Sequence, residues 1–114
     1  MHINPNIEKP IFIQIAEQLE DSIFTKVFPE ETKIPSTNEL SSLLNINPHT
    51  VLKGMNLLAD EEIIYKKRGL GMFVKKGAVN KILLKRQSQF YEQYVDALIQ
   101  EASKLHMKKE EIIS

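Results

Sequence analysis

The segment Asn47-Pro48-His49-Thr50-Val51-Leu52-Lys53 sets three polar side chains, His49, Thr50 and Lys53, in the first turns of a helix. Asn47 marks the start, because its side chain accepts from the first unpaired amides. Pro48 suits the first helical position, where its missing N–H has no partner anyway. The chemistry open to such a turn is hydrogen bonding, with no bond broken. Lysine can donate to guanine O6 and N7 or simply neutralise a phosphate. Histidine can donate to or accept from a base edge, and threonine offers a hydroxyl to phosphate or a methyl to thymine. Taken singly, each also fits the solvated face of any surface helix. Their spacing behind Asn47-Pro48 favours a DNA groove.

Two further segments carry related chemistry. Ser36 and Glu39 have the spacing of a capping box, and the amides of Ser36, Thr37 and Asn38 open a short helix. Unpaired amides at a helix start suit a phosphate oxygen as well as ordinary capping. Downstream, Lys66-Lys67-Arg68-Gly69 forms a basic turn between two β-prone runs. Arg68 at its tip can enter a narrow A·T-rich minor groove, or it can serve as a charged, solubilising tip. Gly69 lets the backbone approach closely.

The elements that must hold these residues can be read from periodicity. Residues 1–9 read as an extended arm. Pro10 reads as a first helical residue, followed by an apolar stripe at Ile11, Ile15, Leu19 and Ile23, widened by Ala16, Phe24 and Val27. That predicts an amphipathic helix of about four turns, stopped by Pro29, with Val27 to Lys33 as a linker. The Ser36 helix turns Leu40, Leu43 and Leu44 inward, and Asn45-Ile46-Asn47 is a tight turn. The next helix runs to about Asp60 with Val51, Leu52, Met55, Leu58 and Ala59 available to the core. Asn56 and Leu57 join the residues to be divided between DNA and packing. Ile63-Ile64-Tyr65 and Met72-Phe73-Val74 flank Gly69 and Gly71 as a hairpin. From Val79 the pattern is helical again, with Ile82, Leu83, Phe90, Tyr94, Val95, Leu98, Ile99, Ala102 and Leu105 forming a stripe about seven turns long.

The expected fold is mainly α with a small β-hairpin. It comprises a winged helix-turn-helix over residues 1–76 and a helical tail over residues 77–114. Composition narrows the function. The 114 residues contain no cysteine, so disulfides and thiolate metal sites are excluded. No apolar run approaches the roughly 20 residues of a membrane span, and no signal peptide is legible, so a cytoplasmic protein is expected. Net charge is zero, which argues against non-specific coating of nucleic acid. The basic residues Lys66, Lys67, Arg68, Lys75 and Lys76 nevertheless gather in the hairpin, while Glu17, Glu20, Asp21, Glu30 and Glu31 lie upstream. His2, His49 and His106 have no metal-ligand spacing, and no P-loop, dinucleotide fingerprint or nucleophile elbow is present. Neither an enzyme nor a cofactor is expected.

Pro10-Ile11-Phe12-Ile13-Gln14-Ile15, Ile34-Pro35-Ser36, Glu39-Leu40, Asn47-Pro48-His49-Thr50-Val51 and Gly69-Leu70-Gly71-Met72-Phe73-Val74 together resemble the GntR family of bacterial regulators. The resemblance covers residues 10–75. The Asn-Pro-x-Thr-Val start and the short tail resemble the YtrA-type subgroup. That likeness implies a transcriptional repressor whose tail mainly dimerises, often controlling neighbouring ABC-transporter genes. Four features depart from the family pattern. Asn38 stands where arginine is usual, which removes a strong phosphate or base contact. Gly54 replaces an alanine, at a helix-propensity cost of about 1 kcal/mol. Lys26 and Glu31 occupy positions where glycines are common, and His106 replaces the glycine that often follows the long helix.

The tail carries too much apolar and aromatic surface for a lone helix. Packing on the same chain would cover it, and a symmetric interface through Leu83, Phe90, Tyr94, Leu98 and Ile99 would match a palindromic operator. The expected partners are therefore double-stranded DNA and a second copy of the chain. Two other readings stay open at this stage. One is a small-molecule effector bound at the tail–wing junction near Tyr65 or Tyr94; the other is a winged-helix module for protein interaction. Lys108-Lys109-Glu110-Glu111-Ile112-Ile113 reads as the start of a closing helix.

Overall fold

The computed structural model describes residues 1–108, so the closing helix expected from Lys108 lies, beyond that first residue, outside the described residues. The chain is mainly helical with one antiparallel hairpin: α1 (Ile11–Phe24), α2 (Thr37–Leu44), α3 (Pro48–Asp60), β1 (Ile64–Lys67), β2 (Gly71–Val74), α4 (Ala78–Phe90), a π-helical segment (Tyr91–Asp96) and α5 (Ala97–Lys104). Residues up to Ile82 form one compact unit, and the described residues from Leu83 onward form a second.

The core of the first unit is built from Ile15, Leu19 and Ile23 of α1, Leu40 of α2, and Val51, Met55 and Leu58 of α3. Ile63, Ile64 and Val74 close it on the hairpin side, with Ala78 and Ile82 of α4. α3 packs mainly on α1. Gly54 permits that approach: a Cβ there would stand 2.7 Å from the Phe12 carbonyl oxygen and 3.1 Å from the Ile15 side chain. Its low helix propensity is thus offset by close packing of two backbones.

Several details differ from the sequence reading. Pro10 is the N-cap of α1, one residue before the helix begins. Residues 1–9 do not extend. They fold against α1, where the buried Gln14 accepts from the Asn4 amide at 2.9 Å and donates to the carbonyls of Asn4 and Lys9. Gln18 makes a similar reciprocal pair with the backbone of His2. Burying a glutamine requires that its amide be satisfied, and here the arm supplies the partners.

α1 ends at Phe24, well ahead of Pro29, because Lys26 turns left-handed (φ 66°), and Val27 is left exposed. Glu31 (φ 66°) and His106 (φ 58°) are left-handed too, at the positions where the family resemblance placed glycines. Leu43 (76 % exposed) and Leu52 (44 % exposed) are not core residues. The two-turn α2 presses a narrow stripe onto the core, fully burying Leu40, and Leu43 falls outside it. Leu52 lies one residue, about 100° of helix rotation, from the buried series Val51, Met55 and Leu58.

The supposed linker also contributes structure. The Glu31 amide donates to Val74 at 2.8 Å, Val74 to Thr32 at 3.0 Å, and Ile34 to Met72 at 2.9 Å. Lys33 pairs with Phe73, so this segment borders β2 as a minimal third strand. In the tail, Phe90, Asp96 and Ala97 keep right-handed helical dihedrals, so α4, the π-helical segment and α5 succeed one another without a break. The wider turn displaces the apolar stripe from a uniform 3.6-residue period.

Candidate nucleic-acid interface

The start of α2 is secured by the expected reciprocal cap. The Glu39 amide donates to Ser36 Oγ at 3.1 Å, and the Ser36 amide donates to Glu39 Oε1 at 3.2 Å. The Thr37 hydroxyl donates to Met55 Sδ at 3.4 Å, tying α2 to α3. What Thr37 offers outward is therefore its backbone amide at the helix start, beside the exposed Asn38. These amides and the positive end of the helix dipole suit a phosphate oxygen.

Asn45 (φ 55°) ends α2 in a left-handed cap. The turn is closed by Ile46 donating to the Ser41 carbonyl at 3.1 Å and by Ser41 Oγ donating to the Ile46 carbonyl at 2.5 Å. Asn47 Oδ1 then accepts from the His49 amide at 2.8 Å, with Pro48 the first residue of α3. His49 and Lys53 are exposed and Thr50 is half-buried. Lys53 Nζ stands 4.1 Å from the centroid of the Phe12 ring on α1.

In the wing, β1 and β2 pair Tyr65 with Phe73 and Lys67 with Gly71. Residues two apart share a face, so Tyr65, Phe73 and Lys67 lie together while Lys66 points the other way. The two rings are 6.2 Å apart, and Lys67 Nζ stands 4.3 Å from the Phe73 centroid. Arg68 and Gly69 (φ 79°) form the exposed tip, and the Leu70 amide closes the turn onto the Lys67 carbonyl at 2.9 Å. The expected basic cluster is partly neutralised at its base. Glu62 lies 3.8 Å from Lys75 and 3.4 Å from Lys81.

Sequence reasoning missed one cation. Lys33 borders the wing so closely that a Cβ on Gly71 would stand 2.8 Å from its Cε. No local signal marks Lys33, because only its long-range pairing with β2 brings it there. At the other end of the hairpin, the Glu30 carboxylate accepts from the amides of Gly77 at 2.9 Å and Val79 at 3.0 Å, capping α4. Those two bonds, helped by Lys26 and Lys76, hold its carboxyl below the usual 4.5.

Residues 13–74, which include the caps, α3 and the wing, match the family of bacterial regulatory proteins called gntR. The chain belongs to the GntR family. It is of the YtrA type. The chain is 29 % identical over 112 residues to the HTH-type transcriptional repressor YtrA of Bacillus subtilis (strain 168), covering 93 % of this chain and 86 % of that one. A GntR-family transcriptional regulator from Bacteroides thetaiotaomicron superposes with a TM-score of 0.75 at 34 % identity, covering 90 % of this chain and 88 % of the other. YtrA from Sulfolobus acidocaldarius superposes with a TM-score of 0.61 at 28 % identity, covering 99 % and 90 %. The winged-helix assignment therefore stands, and the protein is a DNA-binding transcriptional regulator, not an enzyme. Among the described residues no helix is long and apolar enough to cross a membrane.

Proposed function

We propose that this GntR regulator is a cytoplasmic, homodimeric repressor that reads a palindromic operator. Residues 1–76 bind DNA and residues 77–114 dimerise. α3 enters the major groove with His49, Thr50 and Lys53 toward the base edges. Ser36, Thr37, Asn38 and Asn47 hold the phosphate backbone, and Lys67, Arg68 and Gly69 approach the flanking minor groove. The observation that carries this reading is the start of α3. It is capped by Asn47, docked on α1, and presents His49 and Lys53 to solvent.

Association through the tail is supported by its surface. Phe90 (60 % exposed) and Tyr94 (61 % exposed) join Leu83, Leu98 and Ile99 as large apolar side chains left in water. Exposed apolar area of this kind is stabilised by a partner. A two-fold dimer then sets its half-sites about one helical turn apart. The resemblance to YtrA-type regulators supports control of its own operon and of transporter genes.

Fluorescence anisotropy with DNA from upstream of the protein's own gene, against a scrambled duplex at about 150 mM salt, tests the reading. Tight binding to the upstream DNA alone, by a species of dimer mass in sedimentation, is the expected result. Equal, salt-insensitive binding to both duplexes would sink it.

A further inference from the structure

Phe12 is an aromatic residue whose place hydrophobic burial does not explain. It stands half-buried in the first turn of α1, while its neighbours Ile11 and Ile15 pack with the core cluster and Phe12 does not. Its ring instead lies under the ammonium of Lys53, 4.1 Å from centroid to Nζ. A second observation concerns how the ring is delivered there. The close approach at Gly54 leaves 2.7 Å between the site of a Cβ and the Phe12 carbonyl oxygen. The backbone of residue 12 is therefore pinned against the residue next to Lys53.

We propose that Phe12 is the positioning residue for Lys53, an aromatic platform that orders the lysine for a base edge without itself touching DNA. This rests on the reading of α3 as the groove-entering helix. A lysine has a flexible four-carbon stem and three donors, and unrestrained it moves among phosphates as a mobile point charge. The negative face of an aromatic ring attracts the ammonium and narrows the stem to the rotamers that reach the ring. Ordering that precedes binding is not charged against binding. Held in this way, the remaining donors face a restricted set of directions, so the ring sharpens discrimination between bases more than it raises affinity for any duplex.

The test begins with a half-site sequence selected from a random duplex pool by the wild-type protein. Affinities for that duplex and for a scrambled one are then measured by anisotropy for Phe12→Leu, Phe12→Tyr, Lys53→Ala and the Phe12→Leu/Lys53→Ala double variant. Phe12→Leu keeps an apolar side chain and removes the π face. It should weaken selected-site binding about three- to tenfold, leaving scrambled binding unchanged. Phe12→Tyr should retain wild-type discrimination, and Phe12→Leu should cost nothing further in the Lys53→Ala background. A DNA-free readout accompanies these. The Lys53 ε-methylene protons should show an upfield ring-current shift in wild type and Phe12→Tyr, absent in Phe12→Leu.

Equal losses on both duplexes, or a Phe12→Leu loss that persists without Lys53, would mean that Phe12 acts through the fold. Tighter selected-site binding by Phe12→Leu would mean that the ring withholds the lysine. Either result overturns the proposal while leaving the groove reading intact. If the wild type enriches no sequence, or Lys53→Ala leaves the selected-to-scrambled ratio unchanged, the groove reading fails first and the platform falls with it.

Discussion

Up to Ile82 most of the large apolar side chains of this regulator close on one another, whereas among the described residues from Leu83 onward most of them face water. Ile15, Leu19, Ile23, Val51, Met55 and Leu58 are all essentially inaccessible, yet Leu84, Phe90, Tyr91, Tyr94, Leu98 and Leu105 each expose half or more of their surface. Both regions are helical and both carry apolar stripes, so helix formation is not what separates them. The difference lies in tertiary closure. Three helices and a hairpin enclose a volume, and a single helical run cannot. The first region closes its own core, and the second leaves its large apolar side chains exposed.

The comparison can be broken most directly in the core. Ile15→Ala should destabilise the winged-helix unit by about 2–5 kcal/mol in urea unfolding, the range for deleting a buried branched side chain. A change under about 1 kcal/mol would show that the first unit is not closed as described.

Gly54→Ala comes next and tests the sign of an effect. At an exposed helical site the change would stabilise by about 1 kcal/mol, through helix propensity. Here the added methyl meets backbone oxygen, and a loss of about 1–3 kcal/mol is expected from overpacking. A raised melting temperature would show that α1 can yield.

Leu98→Asp sharpens the other side of the contrast. It should leave the unfolding of the first unit in place and weaken self-association at least about tenfold, or about 1.4 kcal/mol, by sedimentation across a concentration series. Unchanged association would remove Leu98 from the interface.

The smallest effect belongs to Glu30. Its folded carboxyl is more acidic than in the unfolded chain, so its contribution is present above the usual 4.5 and lost as pH falls through the lower folded value. Wild type should therefore exceed Glu30→Gln in stability at neutral pH, with the gap closing below about pH 4.5 in parallel melts. A gap independent of pH would mean that the carboxylate charge contributes nothing to the cap.

Local chemistry was legible in the order of residues. Ser36 with Glu39, Asn47 with Pro48, and Gly69 with Gly71 each act over a few positions, and each forms the cap or turn that its spacing implied. The family likeness located the left-handed positions Lys26, Glu31 and His106, which composition would not suggest because none is glycine. Apolar pattern was less faithful at the edges of stripes. Leu43 and Leu52 match the period within a residue, but whether a marginal position is covered depends on the neighbour's width. Lys33 beside the wing and Phe12 beneath Lys53 carry no local signal, and each is placed by a partner about forty residues away.

By itself, then, the sequence determined the caps that open α2 and α3 and the turn of the hairpin, since those depend on contacts within one or two turns of chain. Tertiary structure alone decided that Gln14 is buried and satisfied by the arm, that Glu30 caps a helix 47 and 49 residues onward, that Gly54 lets α1 touch α3, and that Lys53 rests on an aromatic ring. Each of these is a meeting of distant residues. Its geometry is set by how the helices pack against one another, and no periodicity along the chain records that.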